Sequence, residues 1–202
     1  MSIFGQILPG TYLEEEIEQR LRAWMPTYLQ ELELQQNRPR GVLPPPRSYT
    51  TQASLETLGD DQLPCCVIVS PGLVEAPWHD GEGSYTALWQ LGVGVIVSAK
   101  TEVNTKALSK LYGAAVRGCL LQKGAGGYLS GVQWMDESYD DLDIDDERTL
   151  GVAIVEFSVQ VESVVNRYGG PADPTPPDPE TQPGSEWPIF ESAHVEVRKE
   201  TE

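Results

Sequence analysis

The chain contains two histidines, and one of them stands beside a carboxylate in a segment rich in glycine. His79 and Asp80 lie within residues 77–83, whose sequence is PWHDGEG. A histidine oriented by a neighbouring carboxylate is a common general base, and both side chains can also bind metal ions. No Gly-x-Ser-x-Gly motif supplies a nucleophilic serine, so the pattern favours a loop histidine that is exposed or bonded locally. A metal-binding or hydrolytic module that uses His79 and Asp80 is kept as an alternative.

The densest charge in the chain lies between residues 136 and 147. This segment carries eight carboxylates: Asp136, Glu137, Asp140, Asp141, Asp143, Asp145, Asp146 and Glu147. The spacing of Asp141, Asp143 and Asp145 matches the first three ligand positions of an EF-hand loop. Asp146 replaces the glycine that such a loop requires, and Val152 stands where its bidentate glutamate belongs. We therefore predict a solvated, hairpin-like acidic loop that does not bind calcium stoichiometrically.

The other candidate motifs indicate structure and not chemistry. Residues 124–127 (GAGG) follow a predicted helix and are not followed by Gly-Lys-Ser/Thr, so they predict a helix end and not a phosphate loop. Cys65, Cys66 and Cys119 contain no Cys-x-x-Cys pair, which disfavours zinc, and adjacent cysteines rarely form a disulfide. We expect no catalytic residue, no metal and no cofactor.

Hydrophobic periodicity predicts the elements that would position these side chains. Apolar residues recur at helical spacing over residues 11–32 and again over residues 101–122. Thr11 and Glu14 fit a capping box, and Pro26 predicts a kink or two helical pieces in series. Strands are predicted at Cys65–Val69, Leu88–Ala99, Tyr128–Met135 and Thr149–Val165.

Together these elements predict an α+β fold. It consists of a mixed or mainly antiparallel sheet of about four strands, flanked by two main helices. Phe157 and Val159 on the last strand are expected to pack against the second helix through Leu111 and Val116. The cations of that helix are expected to stay in water: Lys106, Lys110 and Arg117.

Composition divides the chain into an α+β body, residues 1–168, and an extended, proline-rich acidic C-terminal arm, residues 169–202. Seven of the sixteen prolines fall between residues 171 and 188. The arm is expected to dock on a neighbouring subunit or an adjoining protein, and folding back onto its own subunit is the alternative. The residues predicted to form that interface are Trp187, Ile189, Phe190, Val195 and Val197.

The net charge limits the classes of partner. Acidic residues outnumber basic ones by 31 to 14, which gives a formal net charge of −17 and disfavours a DNA-binding protein. No apolar stretch is long enough to span a bilayer, and the N-terminus lacks the features of a secretory signal. We therefore expect synthesis in the cytoplasm and no association with a membrane.

Six short segments follow one another in an order shared with a known family. They are 21–29 (LRAWMPTYL), 92–98 (GVGVIVS), 111–117 (LYGAAVR), 131–134 (GVQW), 137–142 (ESYDDL) and 148–150 (RTL). In this order the chain resembles tail terminator proteins of long-tailed (siphovirus-type) actinobacteriophages. The resemblance covers most of residues 11–170.

The resemblance implies a structural virion protein and not an enzyme. Such α+β subunits form a ring of about six that caps the tail tube, ends its polymerisation and joins the tail to the capsid neck. The implied partners are further copies of the chain, the tail tube protein and a neck or head-completion protein, while DNA passes without being bound specifically. The implied location is the tail–neck junction of the virion, after synthesis in the host cytoplasm.

The resemblance also gives the acidic segment a context. In such a ring the acidic loop is expected to line the lumen or to face a partner, because like charge repels passing DNA. Another head-to-tail connector or stopper ring protein is the alternative within the same class.

Overall fold

The computed structural model describes residues 7–51, 58–79, 81, 83–98, 102–122, 129–145 and 148–166. Within these ranges the chain forms two helices, α1 (Thr11–Gln35) and α2 (Glu102–Gln122). It also forms six strands: β1 (Ser48–Thr50), β2 (Cys65–Leu73), β3 (Trp78–His79), β4 (Ser84–Ser98), β5 (Leu129–Asp145) and β6 (Arg148–Asn166). The predicted α+β class is confirmed. The predicted boundary at residue 168 and the arm beyond it lie outside the described residues.

The six strands form one mixed sheet. Its main order is β1-β2-β4-β6-β5, and β3 pairs with β4 beside this path. β1 and β2 run parallel, while the pairs formed by β3 to β6 are antiparallel. The sequence did not predict β1 and β3, because elements of three and two residues are too short to show a period-two alternation.

Both helices pack against one face of this sheet, and the main core lies between them and the sheet. Phe157 and Val159 are fully buried there together with Val116, while Leu111 packs at the margin, as the alternation predicted. The core also contains Leu13, Ile17, Leu21, Met25 and Leu29 of α1, Tyr112, Ala115, Cys119 and Leu120 of α2, Leu91, Val93, Val95 and Val97 of β4, and Val155 and Val161 of β6.

The opposite side of the sheet, called here the helix-free face, is covered at one end by a smaller cluster. Leu58 and Leu63, which precede β2, pack there over Cys65, Ile96 and Leu150. Farther along the same face, Val69 pairs with Gly92 and is exposed. An antiparallel sheet commonly has one covered and one open face, and this sheet follows that arrangement.

The start and the middle of α1 differ from the prediction. Gly10 caps the helix, and no side chain caps its first turn, so the capping box of Thr11 and Glu14 is wrong. The Glu14 carboxylate instead accepts a hydrogen bond of 2.8 Å from the Ser70 N–H of β2, because the sheet offers a backbone donor nearby. α1 is one continuous helix that includes Pro26, so the alternative of two helical pieces is also wrong.

A buried carboxylate holds the loop that follows α1. The side chain of Glu33 accepts hydrogen bonds from the Gly41 N–H at 3.0 Å and the Leu43 N–H at 2.7 Å, one on each oxygen. These backbone donors hold the pKa of Glu33 below its ordinary value, because they stabilise the charged form. The Tyr112 hydroxyl of α2 donates to the Pro44 carbonyl at 2.5 Å and holds the loop from the other side. The loop 36–47 is therefore tied to both helices.

We expect Glu33→Gln to destabilise the protein at neutral pH. The substitution leaves one loop N–H without an oxygen acceptor and removes the charge that the donors stabilise. The wild type has a depressed pKa at Glu33, so its advantage should be fully present above the ordinary glutamate pKa and be lost as pH falls through the folded value. Denaturant unfolding from about pH 7 to about pH 3 measures this difference.

Glu31→Gln is the matched control, because Glu31 lies on the exposed side of the same helix and is expected to change stability little. A stability difference between the wild type and Glu33→Gln that stays constant over the pH range would contradict the proposed role of Glu33.

Truncation of the central aromatic residue tests the main core. We expect Phe157→Ala to lower the free energy of unfolding by roughly 3–5 kcal/mol, because the side chain is fully buried and leaves a cavity. Glu156→Ala, one residue away and on the helix-free face, is the control and should change it by less than about 1 kcal/mol. Denaturant unfolding gives both values. A loss below about 1 kcal/mol for Phe157→Ala would count against burial under α2.

Candidate interaction surface

The acidic residues predicted to form a loop belong instead to a strand. Residues 136–145 are part of β5 and pair with β6, from Asp136 opposite Glu156 to Asp145 opposite Arg148. The loop prediction is wrong because it rested on side-chain polarity, whereas a strand at a sheet edge is held by backbone pairing to its neighbour. Asp146 and Glu147 lie outside the described residues.

A β-bulge at Met135 decides which of these acidic side chains face the helices. The residues on either side of Met135 pair with two consecutive residues of β6, so Met135 is one extra residue on β5. Directly opposed residues of antiparallel strands point to the same face. Opposite the buried side of β6, and therefore facing α2, are Glu137, Tyr139 and Asp141. Facing the helix-free side are Asp136, Ser138 and Asp140.

The helix-facing carboxylates pair with the cations of α2. The Arg117 guanidinium forms an ion pair with the Glu137 carboxylate, which also accepts a hydrogen bond from the Tyr139 hydroxyl. About three helical turns toward the N-terminus of α2, the Lys106 Nζ lies 3.5 Å from an Asp141 oxygen. The prediction that the cations of α2 stay in water is confirmed for Lys106 and Lys110, which are exposed, and is wrong for Arg117, whose side chain is only 32% exposed because it is paired with Glu137.

Aromatic rings of β5 complete this contact. The Arg117 guanidinium lies 4.7 Å from the centre of the Trp134 ring, and the Lys110 ammonium lies 5.7 Å from that of Tyr139. Burial, together with the hydrogen bond to Glu137, raises the pKa of Tyr139 to about 12, so its hydroxyl remains a donor at neutral pH. The Glu137 side chain is only 6% exposed, so its charge depends on these partners. We call Arg117, Trp134, Glu137 and Tyr139 the seam network.

Gly113 allows α2 to approach β5 closely enough for this network to form. A Cβ atom at Gly113 would lie 3.0 Å from a carboxylate oxygen of Glu137 and 3.3 Å from the ring of Tyr139. Any larger residue would push α2 away from the strand or displace the carboxylate. The glycine in the middle of a helix, which costs some helix stability, is therefore explained by packing.

The other half of the acidic strand is open to solvent. Asp136 and Asp140 are exposed on the helix-free face, and Met135 beside them is 56% exposed. A shallow groove of about 290 Å³ adjoins Met135 and is lined by Leu73, Val74, Gln90, Glu156 and Ser158. The face thus combines exposed apolar groups with carboxylates, a composition that suits contact with another protein surface.

His79 does not have the geometry of a general base. It belongs to the short strand β3, and its Nδ1 accepts a hydrogen bond of 3.1 Å from the Gly81 N–H. Its exposed ring meets the Tyr85 ring edge-on, with 5.3 Å between the ring centres. The bond to Gly81 uses a lone pair that a base would need, in agreement with a locally bonded histidine. Asp80 lies outside the described residues.

The remaining predicted features concern metals, membranes and the arm. Cys65, Cys66 and Cys119 are buried and form no disulfide, and burial raises the pKa of the Cys66 thiol. Among the described residues, no three or more His, Cys, Asp or Glu side chains are grouped so that they could hold a metal ion. No helix in the described part of the chain is long and apolar enough to cross a membrane. The interface residues predicted in the arm lie outside the described ranges, so that interface stays a prediction: Trp187, Ile189, Phe190, Val195 and Val197.

Sequence reasoning found the acidic residues but missed the seam network. A signal for it was present, because Glu137, Tyr139 and Asp141 alternate with strand spacing and the opposing cations Lys106 and Lys110 have helical spacing. The network was missed because the predicted strand ended at Met135, whereas β5 continues to Asp145.

Comparisons with known proteins give similarities among solved structures. No protein-family model and no curated protein sequence matches this chain. A chain in the solved structure of the virion of a native gene transfer agent particle is 20% identical in sequence, with a TM-score of 0.40. The similarity covers 66% of this chain and 94% of that chain. At this TM-score the similarity does not by itself establish a shared fold or function.

Removal of the Arg117 charge tests the seam network. We expect Arg117→Gln to lower the free energy of unfolding by about 1–3 kcal/mol, because Glu137 is left buried without its cation. Lys110→Gln, at an exposed position on the same helix, is the matched control and should cost less than about 1 kcal/mol. Both are measured by denaturant unfolding. Equal losses for the two variants would mean that the ion pair with Glu137 contributes nothing particular.

Proposed function

We propose that this protein is a structural subunit of a phage tail. In this proposal, copies of the chain form a ring that caps the tail tube, ends its polymerisation and joins the tail to the capsid neck. The subunit acts by contact with other proteins and carries out no reaction. Its partners are further copies of itself, the tail tube protein and a neck or head-completion protein, and its place is the tail–neck junction of the virion.

The observation that supports this proposal most is the position of the segments that resemble tail terminator proteins. Three of them, 111–117, 131–134 and 137–142, each contribute to the seam network: Arg117 from the first, Trp134 from the second, and Glu137 and Tyr139 from the third. Three segments of the resemblance that are separate in sequence thus meet at one contact, the packing of α2 on β5.

Two further segments of the resemblance lie in the main core. Residues 21–29 supply the buried stripe in the middle of α1, and residues 92–98 supply the buried side of β4. The likeness therefore includes parts of both helices and parts of the strands β4, β5 and β6.

The charge of the chain agrees with this role. A ring that lets DNA pass must not hold its phosphates, and a subunit with a formal net charge of −17 repels them. The acidic segment 136–147 is then proposed to face the lumen or a partner. The arm at residues 169–202 is proposed to dock on a neighbouring subunit or on an adjoining tail or neck protein.

Loss of the gene product in the phage that encodes it tests the proposal. Without a terminator, tube subunits continue to add, so we expect tails of abnormal and variable length and capsids that lack attached tails. Electron microscopy of lysates gives the length distribution, and a plasmid copy of the wild-type gene is the control. Tails of normal length beside DNA-filled, unjoined capsids would indicate a connector or stopper ring instead. Normal, infectious particles would contradict any role in the neck.

A further inference from the structure

The described sheet ends in two very different edges. β1, with three residues, forms one edge, and β5, with seventeen residues, forms the other. Within the described residues, β5 pairs only with β6, so its outer side presents a long row of backbone groups. A long edge strand is usually protected by charges or covered by a partner. The surfaces next to β5 and β1 therefore matter for association.

The surface next to β5 is acidic and apolar. Asp136 and Asp140 are exposed there, whereas Glu137 and Asp141 are already paired with cations of α2. Met135 is 56% exposed, and Trp134, whose ring lies over Arg117, is still 46% exposed. We call Trp134, Met135, Asp136 and Asp140 the acidic edge.

The surface next to β1 has the opposite charge. The loop 36–47 leads directly into β1, and residues 36–51 contain three arginines and no carboxylate, in a chain with 31 acidic residues. Arg38 and Arg40 are exposed, and so are the apolar side chains of Leu34 and Val42 beside them. We call these four residues the basic edge. Asp60 borders the later part of the loop, near Val42 and Arg47, so the charge contact is assigned to Arg38 and Arg40.

The basic edge is held in place before any partner arrives. Glu33 accepts hydrogen bonds from the Gly41 and Leu43 N–H groups, and the Tyr112 hydroxyl holds Pro44. Gly41 has a φ of +83°, which turns the chain within the loop. A loop that is already ordered loses little entropy on binding.

From this arrangement we infer that a second copy of the chain occupies the acidic edge, with the basic edge of one subunit against the acidic edge of the next. The two surfaces combine opposite charges with exposed apolar groups; one adjoins the edge strand β5, and the other lies in the loop that leads into the edge strand β1. Such a contact is head-to-tail, and its repetition closes into a ring when the rotation per subunit allows. The inference rests on the proposed ring function and assigns Asp136 and Asp140 to a partner and not to a lumen.

Charge reversal in the full-length chain tests this inference. The variant R38E/R40E and the variant D136K/D140K each place like charges across the contact, and the quadruple variant restores opposite charges. Light scattering gives the concentration at which half of the chains are assembled. We expect each double variant to raise it by roughly tenfold or more, and the quadruple variant to return it toward the wild-type value.

E15K/E162K, which reverses two exposed charges outside both edges, is the control and should assemble like the wild type. Circular dichroism and unfolding midpoints check that all variants fold. Double variants that assemble like the wild type would overturn the inference and leave the ring function standing. Loss of assembly without recovery in the quadruple variant would also overturn it.

Cross-linking extends the test to the assembled virion. A phage that carries R40C/D140C should yield covalent multimers of this chain after treatment with a bifunctional maleimide, while R40C alone should not. The absence of multimers from particles that contain the protein would overturn the inference. A wild-type chain that forms no ring in solution or on tails would overturn the proposed function, and the inference with it.

Discussion

The register of β6 is the constraint on which the rest of the structure depends. β6 pairs with β4 on one side and with β5 on the other, so its alternation is imposed on both neighbours. A shift of one residue would turn Phe157 and Val159 from the core to the open face. Burial of β6 under α2 fixes this register. The pairing of β5 with β6 then determines which face of the sheet each β5 side chain occupies. The division of the acidic strand into a paired half and an exposed half follows from the apolar residues of its neighbour.

The sequence predicted those parts of the fold in which the apolar or polar character of a residue decides whether it is buried or exposed. The alternation of apolar residues in β4 and β6 and the apolar stripe of α2 correctly predicted these strands, this helix and their buried faces. Apolar residues recur with the period of the element because they are the residues that the fold buries. β5 beyond Met135 could not be predicted in this way, because aspartates form a strand there only through the backbone pairing that β6 offers. Glu14 shows the same limit. Its spacing from Thr11 suits a cap, but a donor on β2, far away in sequence, binds it instead.

The candidate surface shows how charge can have two functions within one strand. Carboxylates that meet Arg117 and Lys106 hold a helix to the edge of the sheet, and the partial burial of these pairs reduces their screening by salt. Carboxylates on the other face are exposed, and such charges protect an edge strand from pairing with arbitrary strands. The composition alone reports only that the chain is acidic. Some carboxylates stabilise the fold and others remain available to partners. The face of the sheet to which each one points decides between these roles, and a count of charges does not show that face.

The bulge at Met135 determines which face of the sheet each later side chain of β5 occupies. If Met135 paired with β6 as an ordinary strand residue, every later position of β5 would shift by one residue, so that Asp136, Ser138 and Asp140 faced α2 and Glu137, Tyr139 and Asp141 faced outward. The shorter aspartates would then stand opposite cations that a glutamate and a tyrosine now reach. Deletion of Met135 would instead remove the bulge and leave the later residues opposite their present partners, so that each charge pattern kept its face. Homologous chains that are one residue shorter here would be expected to carry their glutamates and tyrosines opposite the same residues of β6.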